Sequence, residues 1–307
     1  MNWNRHAGYW IKWAGCSLSA LAWLQLPVIQ SHAGLPPVVS QVVSVSAPIL
    51  DEYHQPLPGT DPSSELFGIA PVEGTLVQIY QTADGVAYPP DMLGNPDPRT
   101  LLVKETRIGI GASPLESAPA KFGCILSPRP DGGTRLFVRV FNASSLGSAS
   151  FYKDSQVFTV SATENDVFLA EFDTDMIPLD LSDEDGDGLI RSWEISYGSD
   201  PTVVDTDADG FTDGEERVAG TDPVEESSYF IIADLLPSPP DQIALSWLSE
   251  SNRTYTIECQ PLLDGESSYT VVDAVSGTGD VLQHLVPAFT NGHGIYRVRV
   301  SITEESE

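Results

Sequence analysis

Two segments of the chain space their acidic side chains in one pattern. The first carries Asp183, Asp185, Asp187, Gly188, Leu189 and Glu194. The second carries Asp205, Asp207, Asp209, Gly210, Phe211, Asp213 and Glu216. Both follow D-x-D-x-D-G-x5-E, and they start 22 residues apart. Carboxylates at loop positions 1, 3 and 5 converge on one point only if the backbone winds around it. A glycine at position 6 reaches the positive φ of that turn without a Cβ clash. The position 7 carbonyl (Leu189, Phe211) then turns inward, and the glutamate at position 12 closes the shell with both oxygens. An all-oxygen shell of this kind suits calcium, a hard cation with six to eight ligands in flexible geometry. The expected metal ligands are Asp183, Asp185, Asp187, Leu189 and Glu194 in the first loop, and Asp205, Asp207, Asp209, Phe211, Asp213 and Glu216 in the second. Position 9 separates the loops, being Asp213 in the second and Arg191 in the first. Ligand charge tunes affinity, so the second site is expected to bind more tightly. The competing reading is an acidic, glycine-rich linker that binds nothing; two full matches in register weigh against it.

The formal charge of −29 over 307 residues leaves no basic patch to neutralise phosphate, which argues against nucleic acid as a partner. Much of the acidity is local. Of the 44 Asp and Glu residues, 19 fall between Glu171 and Glu226, against only Arg191 and Arg217. Without a cation these carboxylates repel one another; with one, that repulsion is relieved on binding.

The elements around the loops are short. Pro178 interrupts the approach to the first loop, and the ten residues Ile195 to Val204 between the loops contain Gly198 and Pro201. One or two helical turns fit after each loop, from Ile190 to Tyr197 and from Thr212 to Ala219. Gly198 and Gly220 stand where a helix end favours a left-handed residue. Each unit is therefore a loop followed by a short helix, without the entering helix of a full EF-hand. Tandem DxDxDG loops with the tails WEISYGSDP and EERVAGTDP resemble the thrombospondin type 3 repeats of bacterial secreted proteins. That resemblance implies calcium held by the carboxylates named above, backbone oxygens from Leu189 and Phe211, and neighbouring repeats that share ions. Asp200 and Asp222 are then further ligands, or else turn residues before proline, the reading their position favours. The dockerin module also duplicates a loop–helix unit, but its helices run on past the points where Gly198 and Gly220 stop these.

Either side of the repeat the pattern is that of strands. Val38–Val45, Thr75–Tyr80, Leu101–Ile110, Arg135–Phe141, Phe151–Val160 and Val167–Phe172 alternate β-branched or aromatic residues with polar ones, between Pro, Gly, Asn and Asp clusters. After the repeat, Phe230–Leu236, Ile243–Leu248, Thr254–Gln260, Tyr269–Val272, Leu282–Val286 and Ile295–Ile302 do the same, with Trp247, Tyr255 and Tyr296 as core candidates. The expected fold is mainly β: two β-sandwich-like domains joined by a short loop–helix calcium-binding repeat. Residues 1–33 read as a secretory signal, with Arg5 and Lys12, an apolar run and Ser31-His32-Ala33 before Gly34. An N-terminal domain at 34–178, the repeat at 179–226 and a C-terminal domain at 227–307 follow, the last resembling a fibronectin type III module. No membrane span is expected in the mature chain. Cys124 and Cys259 lie in different domains and read as buried thiols rather than as a disulfide framework.

Other chemistry is thin. His54, His284 and His293 show no metal-pair spacing, and His293 reads as a turn residue. There is no G-x-S-x-G elbow and no phosphate-binding glycine loop. The expected function is that of a calcium-binding secreted or cell-surface structural or adhesion-type protein, not an enzyme, with calcium rigidifying the joint between two β domains. The alternatives are a module that binds an extracellular glycan or protein on a calcium-stabilised stalk, and an exported hydrolase.

Overall fold

The structure, a computed structural model, describes residues 41–60, 73–110, 120–162, 167–238, 240–261, 268–289 and 294–303. The expected secretory segment, His293 and the last four residues lie outside these. Before the repeat come β1 (Gln41–Val45), β2 (Leu76–Thr82), β3 (Thr100–Arg107), β4 (Gly123–Leu126) and β5 (Arg135–Phe141). They are followed by β6 (Phe151–Asp154), β7 (Phe158–Thr159), β8 (Val167–Ala170) and β9 (Ile177–Pro178). After it come β10 (Asp234–Ser238), β11 (Gln242–Leu248), β12 (Arg253–Pro261), β13 (Thr270–Ser276), β14 (Val281–Pro287) and β15 (Gly294–Ile302). Between the two groups stand α1 (Arg191–Tyr197) and α2 (Asp213–Ala219).

The first group makes two sheets, β4-β1-β8 and β3-β2-β5-β6-β9, with β7 also paired to β5. β1 runs antiparallel to β4 but parallel to β8. Alternating side chains send Val43, Val45, Cys124, Leu126 and Ala170 from the smaller sheet into one buried cluster with Val77, Ile79, Val138, Val140 and Phe151 from the larger. β5 is central, and it buries Arg139 completely. That charge is offset by a two-pronged pair to Asp154 at 2.7 and 2.6 Å and a bond donated to the Tyr88 carbonyl. The second group makes the sheets β10-β11-β14 and β13-β12-β15, with Leu245, Trp247 and Val286 meeting Tyr255 and Ile257 between them. Tyr296 packs at the margin of this core. Cys124 and Cys259 are both free thiols, and burial pushes Cys124 up to about 12.

Some boundaries differ from expectation. Phe151–Val160 is divided at Ser155, whose N–H still donates to the Val138 carbonyl but whose Oγ, in place of its own carbonyl, accepts from the Val138 N–H. The stretch from Phe230 becomes a strand only at Asp234; Phe230 and Ile232 instead pack against the second core. Pro178 is not merely a break. It ends β9, which adds to the edge of β6, where a proline's missing N–H costs no ladder bond.

The repeat is tied to both β groups by different means. Trp193 of α1 packs into the first core, edge-on to Phe151 at 4.8 Å and to Tyr53 at 5.7 Å. Ser196 donates to Glu52, which also accepts from Asn142. On the other side Arg253 of β12 donates to the carbonyls of Val218 and Arg217 at 2.7 and 2.8 Å, meeting acceptors left open at the end of α2. Trp193→Ala should cost about 2–3 kcal/mol, below a full core truncation because the ring is half-buried. Arg253→Met, which keeps the stem but loses both bonds, should cost about 1–2 kcal/mol. Urea unfolding of the calcium-loaded chain measures both.

Candidate metal centre

In each loop the position 6 glycine takes the left-handed backbone that the turn requires, with φ 94° at Gly188 and 102° at Gly210. The loops close on backbone N–H groups. Asp183 accepts from Gly186 and Gly188, and Asp205 from Gly210. Asp185 accepts from Asp187 N–H and Asp187 from Leu189 N–H, while Asp207 and Asp209 repeat the pattern with Asp209 and Phe211. These local bonds fix the carboxylates, and in Asp185, Asp205, Asp207 and Asp209 they leave the second oxygen without a donor. One oxygen from each of Asp183, Asp185 and Asp187 lies within 4.8 Å of the others, and the same holds for Asp205, Asp207 and Asp209.

The short helices that follow add the glutamates. α2 opens on a capping box, in which the Thr212 hydroxyl accepts from Glu215 N–H and the Glu215 carboxylate from Thr212 N–H. α1 has no side-chain cap; its first N–H groups, those of Arg191 and Ser192, donate to the Ser182 and Asp180 carbonyls. Gly198 and Gly220 end the helices in left-handed geometry, as their positions predict. One turn of helix brings Glu194 and Glu216 back under their own loops.

Glu194 is 0% exposed and Glu216 1%. All four of their carboxylate oxygens are buried with no donor, and so are Asp185 Oδ2, Asp205 Oδ1, Asp207 Oδ2 and Asp209 Oδ2. Burial, with Asp185, Asp187, Asp213 and Asp183 nearby, pushes Glu194 up to about 7. Burial also pushes Glu216 up to about 7, with Asp207, Asp209 and Asp213 adding to it. Asp185 and Asp207 are raised for the same reason. Hard oxygens that converge without protein donors fit a divalent cation of the calcium type. The carbonyls of Leu189 and Phe211 accept none of the described hydrogen bonds, which leaves them open as well.

The position 9 residues behave differently from the other acids. Asp213 is buried, and its two oxygens accept from the Thr206 N–H and hydroxyl at 2.8 and 2.7 Å. It presents no free oxygen to the second loop, yet its charge reaches Glu194 and Asp185 of the first and Glu216 and Asp207 of the second. Arg191 turns away from the converging aspartates of the first loop, to Glu184 at 2.8 Å and Asp180 at 3.8 Å. A further link was not visible in the pattern: Gly214 N–H donates to Asp187 Oδ2 at 2.7 Å. A Cβ at Gly214 would stand 2.5 Å from the Asp187 carbonyl oxygen, so only glycine lets the loops approach this closely. Asp200 and Asp222 serve turns, accepting from Thr202 and Val224 N–H.

Residues 183–203 and 205–224 match the family model of the bacterial TSP3 repeat. This segment of the chain is therefore a bacterial TSP3 repeat, set between two β regions. No curated protein matches the chain. Among solved structures, a "Biofilm associated protein - BSP domain" matches at 16% identity, covering 74% of this chain and 42% of that one, with a TM-score of 0.22. The chain thus spans less than half the length of that structure, and at this score the likeness carries no argument. Among the described residues no helix is long and apolar enough to cross a membrane.

The unpartnered oxygens give a test in which the sign of the effect reverses. Glu216→Gln removes a buried charge that only a cation satisfies. In chelator the variant should unfold at a higher temperature than the parent, by about 1–2 kcal/mol of stability. In millimolar calcium it should unfold at a lower one. Glu194→Gln should show the same reversal, read by differential scanning calorimetry.

Proposed function

We propose that the chain is a calcium-binding structural or adhesion-type protein of the cell exterior, in which calcium sets the joint between two β domains. The observation that carries this reading is the pair Glu194 and Glu216, fully buried with all four oxygens lacking a donor. Asp183, Asp185, Asp187, Glu194 and the Leu189 carbonyl would hold one ion. Asp205, Asp207, Asp209, Glu216 and the Phe211 carbonyl would hold the other, with Asp213 contributing its charge to both. Bound calcium supplies positive charge and no reaction. The second loop is the tighter, because it points five buried, donor-free oxygens inward against three in the first.

The residues next to the ligands make this a joint. Trp193 precedes Glu194 and packs into the first core; Arg217 follows Glu216, and its carbonyl is held by Arg253 of the second β region. Metal that fixes the two glutamates therefore fixes the helices that hold both β regions. A domain at 34–178, the repeat at 179–226 and a domain at 227–307 are the units this reading implies, in a chain exported by its first 33 residues and without a catalytic role.

Extracellular modules bind calcium with dissociation constants of about 10⁻⁴ to 10⁻³ M. Calcium tenfold above such a constant adds about 1.4 kcal/mol per site, and so about 3 kcal/mol for two. Thermal unfolding should shift upward in calcium and not in equal magnesium, and calorimetric titration should count two ions. Identical melting in calcium and chelator, with no titratable ion, would overturn the reading.

A further inference from the structure

A cleft of about 410 Å³ opens where the first β region, the repeat and the second β region meet. Glu52 and Tyr53 line it from the segment after β1, Trp193 and Tyr197 from α1, Arg217 from α2, and Arg253 from the start of β12. The cationic groups in it lack the partner that most arginines of this chain have. Arg135 donates to the Ala83 carbonyl, whereas Arg99, Arg107, Arg139, Arg191, Arg297 and Arg299 each face a carboxylate. Arg217 does not: among the described residues its guanidinium has no carboxylate and no hydrogen bond, and it lies 4.5 Å over the Trp193 ring. Arg253 spends its donors on carbonyls, so its charge is also without a counter-ion. In a protein of net charge −29, two guanidinium groups at one cleft without a carboxylate partner leave a place for an anion.

The rest of the lining narrows the ligand. Tyr53 is 40% exposed, and with Tyr197 it gives the cleft aromatic walls of the kind that receive a ring. Glu52 uses one oxygen for Ser196 and Asn142, and its other oxygen is buried beyond the reach of a ligand. Asp175 is the exposed carboxylate of the cleft. A bare carboxylate or sulfate would meet the arginines but offer Asp175 only like charge. A hydroxylated ring that carries one carboxylate turns its negative group to the arginines and a hydroxyl donor to Asp175.

We propose that this cleft binds an acidic sugar, a pyranose ring bearing a carboxylate, with Arg217 pairing the carboxylate, the tyrosines facing the ring and Asp175 accepting from a hydroxyl. The site is coupled to calcium through sequence neighbours, since Trp193 and Arg217 each adjoin a proposed calcium-ligating glutamate. Only that coupling rests on the calcium reading; the cleft chemistry stands apart from it.

The test is calorimetric titration of glucuronate and galacturonate into the calcium-loaded full chain, with glucose, galactose and acetate as controls. Uronate should bind, and both neutral sugars and acetate should bind at least about tenfold more weakly. Arg217→Gln should lose about tenfold or more, Arg217→Lys should retain part of the affinity, and both should still titrate the parent's number of calcium ions. Chelator should weaken uronate binding in the parent. No uronate binding by a chain whose calcium sites titrate normally would overturn the proposal. So would equal affinity for glucose or acetate, or an Arg217→Gln variant that binds as the parent does. Uronate binding that survives chelator would overturn the coupling alone, and absence of calcium binding would overturn the calcium reading alone.

Discussion

Repulsion among carboxylates that the protein itself does not neutralise governs the centre of this molecule. Two loops turn their aspartates inward on backbone N–H groups, and two glutamates are buried beneath them with no donor at all. A folded chain tolerates few unmet buried polar atoms, since each has lost its water without gaining a partner. Here eight of them occur within two short loop–helix units. The arrangement becomes economical only with positive charge at each focus, and no lysine or arginine side chain supplies it. Arg191 points away to Glu184 and Asp180, and Arg217 lies over Trp193.

The same helices that bury the glutamates carry the contacts to the β regions. Residues one apart on a helix point about 100° apart, so a glutamate facing its loop leaves its neighbour free to face outward. Trp193 and Tyr197, four residues apart, share that outer face with Tyr53 beside them. At the other end the link is polar, with Arg253 holding the final carbonyls of α2. A seven-residue helix has little stability of its own, so each depends on these contacts and on its loop. Charge at the loops is thereby connected to packing at both cores and to the cleft between them.

The repeat is also more than two independent loops. Gly214, at the second position of α2, donates to Asp187 of the first loop, and Asp213 beside it places a buried charge close to both clusters. Thr206 holds Asp213 in that position with two bonds. The contact depends on the missing side chain at Gly214, because the Asp187 backbone occupies the space a Cβ would need.

The sequence alone determined those features that depend on neighbours within about a dozen residues. Loop winding follows from alternate aspartates and the glycine at position 6. Helix length follows from Gly198 and Gly220, and most strands from their alternation. Asp200 and Asp222 read as turn residues for the same local reason. Only the tertiary structure decided which partner each side chain met. Pro178 became a strand edge because β6 lay beside it, and β8 joined β1 in parallel across more than a hundred intervening residues. Asp213 and Arg191, both at position 9 of their loops, went to Thr206 and to Glu184, choices that the spacing leaves open. The aromatic pair in WEISY was visible in the sequence, but not that Tyr53 would meet it or that Arg217 would lie over its tryptophan. Backbone preference and spacing are properties of a short segment, whereas a carboxylate's partner and a cleft's lining exist only after distant segments pack.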